Sequence, residues 1–443
     1  MVANGQQPVT YGYDAASRLT QVAQGSVAVG LGYDNANRRT SLTYPNGTST
    51  GYTYDVASRL TNINHFGPSG VIEALTYQYD AVGNRTSLTR NNAAASLLPT
   101  AVASATYDAA NEQTAFAGAT LTYDNNGNLT SDGTNTYVWD ARNRLIGMSG
   151  GTSASFAYDP LGRRVAKIVG GATANFLYDG HDVAAEIGGG AVSTAYLRSL
   201  SIDEMFGFLR QDGAYFSIYD GVGSTLTLTN QSGIPAVQYS YEPFGKAQTS
   251  NPSFANPFQF TGRENDNTGL MYYRARYYNF ISHRFVAQDP ITLSESFSAQ
   301  QIVEASSASG EISEEDAIVL LRHSAILSDP MLQHPYLYGL NNPLRFTDPS
   351  GELVPQAIGC VIGAGASVGL DVFSKRKISL LRAGLGCALG SGGGYLASIA
   401  NANRYLRIGF GRHGGNQVFR LAGQWVQKLT GRAHIDIWKG GPL

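Results

Sequence analysis

The chain has 443 residues, enough for a sizeable core and more than one domain. Charged residues make up only 14% and the net charge is −2, so composition gives no global pull toward nucleic acid or membrane. A hydrophobic fraction of 43% excludes disorder, and 52 glycines with 26 tyrosines suit a turn-rich β protein better than a helical one.

The N-terminus, Met1-Val2-Ala3-Asn4-Gly5, has no basic stretch followed by an apolar run. A Sec signal is therefore not expected, and any export is expected by another route. A repeat follows at once, at Tyr13-Asp14. The chain is thus read either as a fragment of a longer array or as an orphan downstream cassette.

Tyr-Asp recurs at Tyr33-Asp34, Tyr54-Asp55, Tyr79-Asp80, Tyr107-Asp108 and Tyr123-Asp124, becomes Trp139-Asp140, and returns at Tyr158-Asp159, Tyr178-Asp179 and Tyr219-Asp220. The usual interval is roughly 16–28 residues, the range of solenoid repeats. Tyrosine is expected to end a strand. Aspartate is expected to open a turn, its carboxylate accepting from backbone N–H groups two or three residues on. Gly83, Gly127, Asn143, Gly162 and Gly223 all lie three places after the aspartate, where a positive φ is needed. Arg-Leu-Thr then starts the next strand. Each unit is hairpin-like, and stacked units make one coiling sheet. The repeated tyrosines and aspartates are scaffold, because regular repetition favours packing.

The phrase Tyr54-Asp55-Val56-Ala57-Ser58-Arg59-Leu60-Thr61 resembles the YD repeat of bacterial RHS proteins, of insecticidal toxin-complex C subunits and of teneurins. Residues 219–351 extend the likeness through Tyr241-Glu242-Pro243-Phe244-Gly245, Phe260-Thr261-Gly262-Arg263-Glu264 and Gly269-Leu270-Met271-Tyr272-Tyr273-Arg274-Ala275-Arg276-Tyr277-Tyr278. Gln288-Asp289-Pro290, Tyr336-Leu337-Tyr338-Gly339 and Asp348-Pro349-Ser350-Gly351 complete it. This ordered series resembles the RHS repeat-associated core. The resemblance implies a mainly β, coiling YD-repeat shell that encloses a C-terminal toxin segment, with the core closing one end.

In this family the core can also cut the chain after its second Asp-Pro motif, one aspartate acting from each motif. The matching residues are Asp289 and Asp348. Two carboxylates held close share a proton, which leaves one as base and one as acid. The sequence departs from the family pattern at Gln288, where arginine is usual, and at Glu352, where leucine is usual. It also carries an insertion over 291–334, in which residues 311–322 read as an acidic-capped amphipathic helix. The alternative is that both Asp-Pro pairs only start turns.

Composition changes after Gly351. Residues 352–400 form a glycine-rich apolar segment, read as a helical pair over 356–400. Its small residues permit either packing or membrane contact, although Asp371 and Arg382 interrupt the apolar runs. Cys360 and Cys387 lie here and are read as small buried residues. Residues 401–443 are basic, with Gly411–Asn416 read as a loop, Gln417–Leu429 as a helix and Arg432–Trp438 as a strand. The tip is therefore expected to be a small α or α+β domain. Arg412, His413, His434 and Asp436 are candidates for a metal-independent nuclease. One imidazole would serve as base and one as acid, with arginine steadying phosphate and Asp436 orienting His434.

The expected organisation is repeats over 1–218, core over 219–351, apolar segment over 352–400 and tip over 401–443. No cofactor or metal is expected. Expected partners are an immunity protein, secretion machinery, a nucleic acid substrate and a transient membrane contact through 356–400. The expected location is the cell surface or exterior, after a cytoplasmic stage. Three functions stand: a shell delivering a nuclease, a delivery module with a membrane-disrupting tip, and an adhesion protein.

Overall fold

A computed structural model describes residues 7–81, 83–91, 97–102, 104–290 and 334–352, together with the backbone of four strands between Gly409 and Trp438. Strands dominate. An eight-stranded antiparallel sheet runs from Val9–Tyr13 to Arg85–Arg90, each strand pairing with the next in sequence. A three-stranded sheet follows over Ala105–Thr120, then a fourteen-stranded sheet from Thr122–Tyr123 to Ala247–Thr249. A four-stranded sheet from Glu264–Asn265 to Arg284–Phe285 belongs to the core region. Among the described residues no helix is long and apolar enough to cross a membrane.

The sheet grows because every repeat solves the same local problem. Asp55 Oδ1 accepts from the backbone N–H of Ala57 and of Arg59, both at 2.9 Å. The acceptor geometry thus reaches two and four residues on, rather than two or three, because the turn is one residue longer than a simple β-turn. The third residue after the aspartate is left-handed, with φ of 61° at Asn37, 88° at Gly83, 57° at Asn143 and 84° at Gly162. Glycine and asparagine tolerate that conformation best.

Side chains then link each repeat to the next. Arg59 Nε donates to Asp55 Oδ2 at 2.6 Å, and its Nη1 reaches the main-chain oxygen of Asp80 at 2.7 Å. The same guanidinium lies 5.1 Å from the ring centroid of Tyr79. In return, Tyr79 donates its hydroxyl to the main-chain oxygen of Leu60 at 2.7 Å. Arg144 and Tyr158 repeat the arrangement, with a ring distance of 4.9 Å and a Tyr158–Leu145 bond of 2.7 Å. Trp139 substitutes its indole N–H, donating to Leu129 at 2.7 Å. An exposed ion pair contributes little by itself, but these arginines add a stacked ring and a backbone acceptor.

The eight-stranded sheet packs on the later part of the fourteen-stranded one. Val22, Val29 and Leu42 bury against Leu197, Phe206 and Phe216. Polar links cross the same interface: Tyr44 donates to the Ser217 oxygen at 2.9 Å, and His65 Nε2 lies 3.1 Å from the Tyr219 oxygen. The core region packs on the early part of that sheet, where Leu129, Leu145 and Phe156 meet Leu270, Tyr272 and Tyr277. Buried there, Arg164 pairs with Glu264 and Asp266.

The tip differs from expectation. Asn416–Leu421 and Gln424–Gln427 are antiparallel strands, where a helix over Gln417–Leu429 was expected. Leu421 pairs with Gln424, leaving only Ala422-Gly423 between the paired ends. That is hairpin spacing, and Val418, Phe419, Trp425 and Val426 favour strands. Gly409–His413 precedes them, so Arg412 and His413 lie in a strand and not in the expected loop. Ile437–Trp438 is a strand, as read from the sequence. The expected helices over 311–322 and 356–400, and both cysteines, lie outside the described residues.

Candidate aspartate site in the core

The two Asp-Pro motifs meet because of strand pairing and aromatic packing. The Phe285 N–H donates to the Tyr336 oxygen at 3.0 Å, and the Asp289 N–H donates to the Pro335 oxygen at 3.1 Å. This aligns the chain before Asp289 with the segment entering Tyr336-Leu337-Tyr338. Tyr338 then anchors in a buried cluster of Phe260, Met271, Tyr273, Tyr278 and Phe285. From that anchor the chain turns back to Asp348.

Asp289 and Asp348 are both buried, with 2% and 1% exposure. Both face one nitrogen. Arg276 Nη2 lies 2.7 Å from Asp289 Oδ2 and 3.3 Å from Asp348 Oδ2. Arg276 is itself fixed by stacking, with its guanidinium carbon 3.6 Å from the Phe285 ring centroid, and by donation from Nη1 to the Pro335 oxygen at 2.8 Å. Burial pushes the Asp348 carboxyl up to about 7; Arg276 pulls it back, and neighbouring Asp289 raises it further.

The segment after Asp348 is gripped carbonyl by carbonyl. Arg274 donates to the Pro349 oxygen, the Ala275 N–H to the Ser350 oxygen at 3.1 Å, and Arg276 Nε to the Gly351 oxygen. Three consecutive residues of one hairpin thus hold three consecutive carbonyls. Arg274 is braced in turn by Asp182 and Asp203, each at 2.7 Å from its Nη2, and both belong to the repeat region. The Glu352 N–H donates to Asp348 Oδ1 at 3.1 Å, and Ser350 Oγ donates to the Glu352 oxygen at 3.2 Å. A cavity of about 410 Å³ borders the site, lined in part by Tyr158, Arg163, Asp182, Arg274, Asp289 and Glu352.

The arrangement holds two buried carboxyl groups, one stacked cation and a turn of peptide beside a cavity. Such a site suits acid–base attack on a peptide carbonyl. Gln288 is not part of this pairing; it bonds the Tyr336 hydroxyl, which also donates to the Gly127 oxygen at 2.9 Å. Sequence reasoning named Asp289 and Asp348 but missed Arg274, Arg276 and Ser350. The available signal was two arginines within a tyrosine-rich, charge-poor stretch.

Among the tip candidates, Arg412 pairs with Gln417 and His413 with Asn416 in the backbone register. His434 and Asp436 lie outside the described residues. Among the described residues no group of three or more His, Cys, Asp or Glu side chains is placed to hold a metal ion.

Comparison with known proteins agrees with this architecture. The teneurin YD-shell family model matches residues 46–306. The tRNA3(Ser)-specific nuclease WapA of Bacillus spizizenii is 28% identical over 291 residues, covering 63% of this chain and 11% of the nuclease. The double-stranded DNA deaminase toxin A of Burkholderia cenocepacia is 27% identical over 214 residues, covering 39% of this chain and 15% of the toxin. The chain therefore spans about a tenth to a seventh of the length of these relatives. Among solved structures, a TcdB2-TccC3 crystal structure superimposes with a TM-score of 0.52 at 18% identity, covering 77% of this chain and 21% of that one. A Photorhabdus luminescens Tc holotoxin pore gives 0.51 at 18%, covering 78% and 20%. These likenesses concern the fold. Repeat, core and family match converge: the chain belongs to the teneurin YD-shell family of RHS/YD-repeat proteins, and it is a shell scaffold.

Proposed function

We propose that this chain is a segment of a toxin-delivery shell that encloses a C-terminal effector, carries it out of the producing cell and cuts itself between core and effector. The observation that carries this reading is the meeting of Asp289 and Asp348 on Arg276, directly before the point where composition changes. On this reading 1–218 is repeat wall, 219–351 is the closing core, and 352–400 and 401–443 are cargo.

In the cleavage step, Asp289 takes a proton from water, and the water oxygen bonds to the Glu352 carbonyl carbon. The Asp348 proton passes to the carbonyl oxygen, giving a tetrahedral diol. The diol then collapses and the C–N bond to Leu353 breaks. The leaving nitrogen takes the proton from Asp289, and Asp348 recovers its own from the diol. The products are a Glu352 carboxyl and a Leu353 amine, with one water consumed.

The cargo is a metal-independent nuclease that uses Arg412, His413, His434 and Asp436. Support comes from the basic composition of 401–443 and from a relative named as a tRNA nuclease, while the relative named as a DNA deaminase toxin supports only a nucleic acid target. Its partners are then a nucleic acid, a cognate immunity protein and secretion machinery. A membrane-disrupting tip acting through 356–400 is the competing reading, favoured by the apolar composition there. Expression of residues 352–443 in a sensitive bacterium separates them. Nucleic acid degradation lost in His413→Ala or His434→Ala supports the nuclease. Depolarisation with intact nucleic acid supports the membrane tip, and harmless expression removes the toxin assignment.

A further inference from the structure

We propose that the Ser350 hydroxyl relays the Asp348 proton to the Glu352 carbonyl oxygen; this rests on the self-cleavage reading. Ser350 Oγ lies 3.3 Å from Asp348 Oδ1 and 3.2 Å from the Glu352 oxygen. It therefore stands between the acid and the atom that must be protonated.

The surroundings explain why a relay is needed. Asp348 Oδ1 accepts the Glu352 N–H at 3.1 Å, and Ser350 Oγ accepts the same N–H at 3.2 Å. The other carboxylate oxygen, Oδ2, faces Arg276. Asp348 thus addresses the amide side of Glu352, whereas the reacting oxygen lies on its carbonyl side. A hydroxyl is both donor and acceptor, so Ser350 spans the two. It accepts the Asp348 proton on Oγ as its own hydrogen leaves for the Glu352 oxygen. The hydroxyl is regenerated and no net charge moves onto serine.

The geometry is held by the backbone. The Ser350 oxygen accepts from the Ala275 N–H at 3.1 Å, which keeps residue 350 against the hairpin, and Gly351 takes a φ of 70° to bring residue 352 back under Oγ. The relay donor also faces the oxygen on which negative charge develops during water attack. Such a donor strengthens as the reaction proceeds.

The test follows the full-length chain in a cell-free synthesis system, with the fragments measured by mass spectrometry across pH and in heavy water. Ser350→Ala is expected to slow cleavage by roughly a hundredfold, in the range of lost acid–base assistance. Ser350→Thr, which retains the hydroxyl, is expected to restore most of the rate. The solvent isotope effect should fall in Ser350→Ala, an outcome that loss of shape alone does not produce. Asp289→Asn and Asp348→Asn serve as references. If both stop cleavage while Ser350→Ala cuts at the wild-type rate, the relay is overturned and the aspartate reading stands. If the wild-type chain stays whole, both are overturned.

Discussion

Gly351 turns with a φ of 70°, and a Cβ at that position would fall inside the contact distance of the Tyr273 main-chain oxygen. The two residues are 78 positions apart in sequence, yet their backbones touch where the core hairpin grips the segment after Asp348. Gly351→Ala therefore meets both a left-handed backbone and a steric wall. We expect the core to lose about 2–4 kcal/mol, combining backbone strain with displacement of packed atoms. Denaturant unfolding measures the loss, and cleavage should stop in the same variant.

Asp348 should impose a falling limb on the cleavage rate. Its folded pKa is raised to about 7, so the acid form is lost as pH rises through that value. The linked effect on stability has the same direction. Between the ordinary 3.8 and about 7 the folded state binds more protons than the unfolded state, so this group's contribution is full below 3.8 and lost as pH rises through about 7. Asp348→Asn should remove that dependence from unfolding midpoints measured across the window.

His65 works in the opposite direction. It lies between Thr50 Oγ1 at 2.8 Å and the Tyr219 oxygen at 3.1 Å, and burial lowers its pKa to about 3. The unfolded state binds the extra proton as pH falls below 6.5, so stability drops from 6.5 toward about 3. His65→Gln should be less stable at neutral pH by about 1–2 kcal/mol through imperfect bonding, and should show a flatter acid limb. Urea midpoints across this range check both.

The buried Arg164 should be among the costliest residues to truncate. It holds Glu264 at 2.5 Å and Asp266 in a shorter contact, with Tyr277 Oη at 3.0 Å. Lys167 reaches Asp266 at 2.8 Å but leaves Glu264 without this partner. Arg164→Ala is expected to cost about 3–5 kcal/mol, because it strands buried carboxylate charge. Arg59→Ala, at a partly buried repeat position, should cost nearer 1 kcal/mol. Thermal unfolding of the two variants side by side tests the contrast.

The contrast also explains what the sequence made legible. Asp55, Ser58, Arg59 and Leu60 interact within a few residues or with the neighbouring repeat, so their pattern recurs and can be read. Asp289 and Asp348 stood out only through the family motif. Their shared partner Arg276 is 13 and 72 positions away, and no local period links them. In the tip, Val418, Leu421, Trp425 and Leu429 fit helical spacing, while the two-residue gap at Ala422-Gly423 fits a hairpin. Periodicity alone gave the wrong element there because short apolar runs satisfy both patterns.

We propose the core as a self-cutting closure between shell and cargo. An intact mass spectrum of the purified full-length chain tests it most directly. Two fragments that part after Glu352 are expected in the wild type, and one whole chain in Asp289→Asn and Asp348→Asn. A single mass of 47.2 kDa in the wild type, unchanged in both variants, would contradict it.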